Sequence, residues 1–127
     1  MFDVEWPRNH PGLSEAIKQA RETEIRLAVS NPCFELWLIL HFQDHGGWLE
    51  NNDARRLRRQ LDGSTDKSLD AARYLPRIAD AVRRAADLDK RHRANGVDIP
   101  HNNPSSGMHL LLAAIEPPDV SYKETRA

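Results

Sequence analysis

Only two short stretches of this 127-residue chain carry the pattern of a β-strand, and both lie near its start. Phe2 to Trp6 alternates apolar and acidic residues, the period of a strand with one wet face, and Ile25 to Val29 reads as a second, mostly buried strand. Between them Pro7, Pro11 and Gly12 mark a turn, and Leu13, Ala16, Ile17 and Ala20 fall at helical spacing over residues 13–24. Strand, helix and strand in such a short span predict a right-handed crossover onto a parallel neighbour. That pair is a poor core by itself, because parallel sheets need both faces covered and normally more strands. The chain therefore reads as an α/β fold with a small parallel sheet (strands 2–6 and 25–29) that lacks some of its strands.

The remainder reads as helical. Asn31 suits an N-cap and Pro32 the first position of a helix over 33–42, which is apolar almost all round and expected to be buried on more than one side. Asp44 to Gly47 ends it, and Asn52 or Asp53 caps a short basic helix reaching Leu61. After a loop at 62–66, helix restarts at Pro76, with Leu75, Ile78, Ala79, Val82 and Ala86 on one stripe. Asp80–Arg84 and Asp87–Arg91 are expected ion pairs on its wet side. Asn95-Gly96 closes this helix, and Asn102-Asn103-Pro104 opens a last one carrying Met108, Leu111, Leu112 and Ile115. Five helices result, and residues 117–127 form a polar tail expected to fray.

Charge and composition narrow the function classes. With 18 Lys and Arg against 19 Asp and Glu, the body is no polycation, though a local basic patch is allowed. A hydrophobic content of 39% suffices for a core and excludes wholesale disorder. The single Cys33 closes no internal disulfide and supports no thiol cluster. The longest apolar run, Cys33 to Leu40, holds Glu35 and is too short for a bilayer, while the acidic start is unlike a signal peptide. A soluble, cytoplasmic protein with no membrane partner is expected.

Five groups of residues suggest chemistry. Asp3 and Glu5, two apart on a strand, share a face at a strand's carboxyl end, where ligands of open α/β sheets collect. Two carboxylates there suit Mg²⁺ or Mn²⁺; the alternative is a solvent-facing terminal strand. Glu35 is the only charged residue between Asn31 and Leu40, in the first turn of a helix that should be buried. It either meets a partner or metal, or snorkels outward. Lys67 follows an Asp62-Gly63-Ser64-Thr65-Asp66 loop and begins a helical region, a place unfavourable to a cation unless an anion is near; an exposed lysine is the alternative. Arg55, Arg56, Arg58 and Arg59 form the only dense basic cluster, and with Trp48 they read either as a phosphate-tracking surface with a stacking platform or as a solvated helix face. His41 and His45 have helical metal spacing but no further ligand pattern, and Cys33 is expected to be a small core residue rather than a reactive thiol.

Ser30-Asn31-Pro32-Cys33-Phe34-Glu35-Leu36-Trp37 with His41-Phe42 resembles the signature of the RloB family, encoded beside bacterial restriction–modification systems and associated with phage defence. Asn103-Pro104-Ser105-Ser106 with His109-Leu110 resembles its second signature, Lys67 matches the lysine between them, and Phe2-Asp3-Val4-Glu5 resembles its acidic strand, with Glu5 at the second acid. The likeness spans residues 1–116. It implies a Toprim-like fold, the metal-dependent fold of topoisomerases and primases, in which an upstream glutamate joins the acidic pair around Mg²⁺. Residues 1–116 then correspond to the C-terminal part of such a domain, with a strand and that glutamate expected before Phe2.

The resemblance implies that Asp3 and Glu5 hold the metal, that Glu35 is a third acid or supports the ligands, and that Lys67 neutralises phosphate charge. Asn31, Pro32, Trp37, Asn103 and Pro104 would shape the motif; the arginine cluster, from its charge and not from the likeness, is expected to meet nucleic acid. A chain starting at Met1 is expected to be weak or inactive in catalysis without the upstream part. The competing reading is a non-catalytic binding or regulatory module of a defence complex, with protein partners or self-association. The two differ in geometry: the metal reading needs Asp3, Glu5 and Glu35 to converge, and the module reading expects Glu35 to face solvent.

Overall fold

The computed structural model describes residues 2–23, 28–63 and 69–115. β1 (Phe2–Asp3) pairs parallel with β2 (Val29–Asn31), which aligns Phe2 with Val29 and Asp3 with Ser30. β2 in turn pairs antiparallel with β3 (Ser105–Ser106), giving a mixed sheet of order β1-β2-β3. The expected parallel crossover is present, through α1 (Leu13–Glu22). The sheet is not purely parallel, however, because the Ser105-Ser106 segment expected to open the last helix is a strand. Its small residues let backbones close up: the Ser30 and Ser106 hydroxyls lie 3.0 Å apart, and a Cβ on Gly107 would stand 3.3 Å from the Val29 nitrogen. Two serines carry no apolar period, so the pattern that reveals strands is silent there.

Strand boundaries also move. β1 stops at Asp3 because Glu5 turns into the left-handed region at φ 72°, rare for a residue with a side chain. β2 occupies 29–31 rather than 25–29, and residues 24–27 lie outside the described residues. Asn31 and Pro32 are thus not a helix cap and first turn. The cap of α2 (Phe34–Leu40) is Cys33, in extended conformation, and the Asn31 side chain is occupied elsewhere.

α3 (Asn51–Asp62) starts at a capping box of Glu50 and Asp53 and ends at Gly63, whose φ of 73° is the left-handed C-terminal stop that glycine adopts without steric penalty. A single turn, α4 (Ala71–Tyr74), and a 3₁₀ turn at 75–77 lead into α5 (Ile78–Ala94), and α6 (Met108–Ile115) follows β3. The buried face of α5 is not the expected stripe: Ala81, Ala85, Leu88 and His92 face inward, and Leu75, Ala79 and Ala86 are exposed. The expected pairs change accordingly. Asp80 meets Arg83 at 2.9 Å, whereas Arg84 and Arg91 donate to the carbonyls of Leu40 and Gly46 and tie the 40–46 stretch to α5.

The core is the helix read as apolar all round. Leu36, Ile39 and Leu40 of α2 are fully buried, packed with Leu49 from the segment before α3 and with Ala54, Tyr74, Ala81, Ala85 and Leu88 from α3 to α5. Trimming one methyl there, Ile39→Val, should cost about 1 kcal/mol in chemical denaturation with the slope unchanged. No helix among the described residues is long and apolar enough to cross a membrane.

Candidate functional site

Three elements meet around a pocket lined by Asp3 of β1, Phe34, Glu35 and Leu38 of α2, Arg55, Arg58 and Arg59 of α3, and Leu69. Parallel pairing with β2 fixes Asp3, since Val4 N–H donates to Ser30 O at 2.9 Å and Glu5 N–H to Pro32 O at 2.6 Å. Val4 is fully buried, so the alternation of the strand turns Asp3 the other way, towards α2. Glu35 is partly buried one position into α2 and faces the same space.

Asp3 sits in an environment that resists its charge. Burial, then the Glu35 carboxylate, then that of Glu5 push its pKa up to about 6, against a backbone hydrogen bond from Phe34 and the positive charge of Arg55. One carboxylate oxygen, Oδ1, is buried with no hydrogen-bond partner. Burial also drives the Cys33 thiol far above its ordinary value, with the Glu35 charge and a hydrogen bond to Glu35 adding to the effect. Cys33 is accordingly a neutral core thiol.

The three acids do not close on one another as expected. Asp3 and Glu35 share the pocket, but Glu5 is not among its lining residues, because the i, i+2 rule fails once Glu5 leaves the extended region. Among the described residues no group of three or more His, Cys, Asp or Glu side chains is placed to hold a metal ion. His41 is buried, bonded through Nδ1 to Trp37 O. Lys67 lies outside the described residues, as do residues 116–127.

The arginine cluster divides by helical geometry. Positions 55, 58, 59 and 62 fall on one face of α3, and Arg55, Arg58 and Arg59 line the pocket there. Arg56 points elsewhere and pairs with Asp53 at 3.4 Å on the surface. Arg58 is no solvated contact residue. It is buried, its Nε lies 2.9 Å from Asp62 Oδ2, and the Tyr74 hydroxyl donates to the same oxygen at 2.5 Å. Asp62 and Tyr74 thereby hold Arg58 at the pocket wall; the sequence signal for the pair is an acid four residues after Arg58, one helical turn on.

The motif asparagines are internal connectors. Asn31 accepts from Trp6 Nε1 at 3.0 Å and donates to Pro100 O and Asn102 Oδ1, both at 2.9 Å, so it ties the exit of β1 to the loop before β3. Asn103 pairs with both backbone groups of Leu49, accepting at 3.0 Å and donating at 2.7 Å, and thus anchors the approach to α3. Pro32 and Pro104 are fully buried beside them, and Trp37 is in the core. Trp48 is half exposed, edge-on against Trp6 at 4.7 Å between rings.

The sequence model of the RloB-like protein family matches residues 1–115. No curated protein matches the chain, and neither does any solved structure.

Proposed function

The chain belongs to the RloB-like protein family, and on that premise we propose that the pocket between β1, α2 and α3 is the phosphate-handling part of a divalent-metal-dependent nuclease-type site, in a protein of bacterial phage defence. The observation that carries this reading is the Asp3 carboxyl, with an unpartnered buried oxygen, in a pocket shared with Glu35 and three arginines. Oxygen donors of this kind fit Mg²⁺ or Mn²⁺, which is commonly held through one or two carboxylates, the remaining positions going to water and substrate phosphate. Asp3 and Glu35 would hold the ion, with Glu5 adding negative charge from outside the pocket. Once bound, it would polarise a phosphoryl oxygen as a Lewis acid.

The chain's own residues supply the rest. Arg55 and Arg59 neutralise the phosphate as negative charge builds, and Arg58, buried and fixed by Asp62, adds positive potential at the pocket lining without an ordering cost at the moment of reaction. Lys67 is assigned the same neutralising role. A regulatory module without catalysis predicts Glu35 in solvent; its place in the pocket beside Asp3 favours the metal site.

The test is metal binding followed by calorimetry, with nicking of supercoiled plasmid in Mg²⁺ or Mn²⁺ as the second readout. Glu35→Gln should weaken Mn²⁺ affinity by about 10- to 100-fold, and any nicking should fall with it. Wild-type affinity in that variant would remove Glu35 from the site.

A further inference from the structure

The same pocket has an apolar part that a phosphate does not use. Besides the acids and arginines, Phe34, Leu38 and Leu69 line it, and Leu69 is 49% exposed. Phe34 packs on the core cluster yet remains partly exposed, so its ring is fixed from behind. The pocket volume of about 540 Å³ lies within the range of about 300–1,000 Å³ typical of small-molecule sites, well beyond the need of a phosphate and an ion. We propose that the pocket takes one unpaired nucleotide of a single strand, its phosphate on Arg55 and Arg59 and its base against Phe34, Leu38 and Leu69.

This rests on the phosphate reading above and names what lies beyond the phosphate. The physical reason is the disposition of surfaces. A duplex presents phosphates and groove edges and hides its base faces, so it offers the apolar wall nothing. An unpaired base presents a flat apolar face next to its own phosphate, and stacking on an aromatic ring tolerates any base. The basic and apolar lining residues match those two halves of a nucleotide. Arg58 keeps the basic wall in place, because Asp62 holds its Nε at 2.9 Å.

The experiment compares binding of an eight-nucleotide oligo-dT, its ribo-U counterpart and a blunt-ended DNA hairpin of equal phosphate number closed by a base-free glycol linker, at one fixed salt concentration and in Mg²⁺. At least one single strand should bind about tenfold or more tightly than the hairpin, and the stronger of the two identifies the sugar. Leu69→Ser, at an exposed position that the fold does not need, should cut the single-strand preference at least threefold while leaving hairpin binding unchanged. Equal binding of all three probes, or an unaltered preference in Leu69→Ser, overturns the nucleotide assignment and leaves the phosphate reading standing. Failure of every probe to bind in Mg²⁺ overturns both.

Discussion

Asp62→Ala should lower the stability of the fold by about 3–5 kcal/mol, a loss of about 10 °C or more in melting temperature, although it removes no apolar contact. Asp62 and Arg58 have side chains only 3% and 6% exposed, and the pair is joined by the Tyr74 hydroxyl. Deleting the carboxylate removes the acceptor that a buried guanidinium and a buried hydroxyl share, and the desolvation no longer offset outweighs the Coulomb energy of the pair itself. The distinction is testable. The triple variant Arg58→Met, Asp62→Leu, Tyr74→Phe removes all three polar groups together and should recover most of the lost stability. It should also weaken the phosphate site, since Arg58 lines the pocket beside Arg55 and Arg59. A single variant as stable as wild type would mean that the network carries no energetic weight, and the fixed position of Arg58 would then need another cause.

How far the sequence reveals this arrangement depends on which physical signal each element writes. Helices announce themselves through a repeated apolar period, so α2, α3 and α5 are legible, with α2 rightly read as the core helix. Strands of two or three residues give no period. β3 is two buried serines, and β1 is cut short by a left-handed Glu5, so both the mixed sheet and the exclusion of Glu5 from the pocket were invisible. The nearness of Asp3 and Glu35 could be anticipated because each stands at the junction of a strand or helix terminus with the sheet. Asn31 and Asn103 are ambiguous in the sequence for a different reason. An asparagine before a proline writes the same letters whether its amide caps a helix or, as here, bridges two distant backbone segments, and only the tertiary fold decides between them. The split of the arginines was available from helical spacing alone: Arg56 is the member out of phase with positions 55, 58 and 59.

Asp3→Asn should make the metal-free protein more stable at pH 7.5 and no more stable at pH 4, while abolishing the response to divalent metal. The sign follows from linkage. Burial and the neighbouring carboxylates raise the Asp3 pKa from its ordinary 3.8 to about 6 in the folded chain, so the native state holds this proton more tightly than the unfolded chain does. Below 3.8 both states are protonated and Asp3 costs nothing. As pH rises from there to about 6 the unfolded state ionises first and native stability falls; above that the full penalty is in place. The shift corresponds to at most about 3 kcal/mol, and screening at a half-buried carboxyl reduces this to about 1 kcal/mol. An amide keeps the shape and can still accept the Phe34 N–H, but carries no charge for Glu35 and Glu5 to repel. Thermal melts at the two pH values, each with and without Mg²⁺, separate the contributions. Wild type should gain melting temperature on adding Mg²⁺ at pH 7.5 and little at pH 4, where the carboxyl is protonated, and the variant should gain at neither. The same repulsion that weakens the empty pocket is what a dication would relieve, so the cost in stability and the affinity for metal have one origin. Parallel pH profiles for wild type and Asp3→Asn would break that link and detach Asp3 from the proposed site.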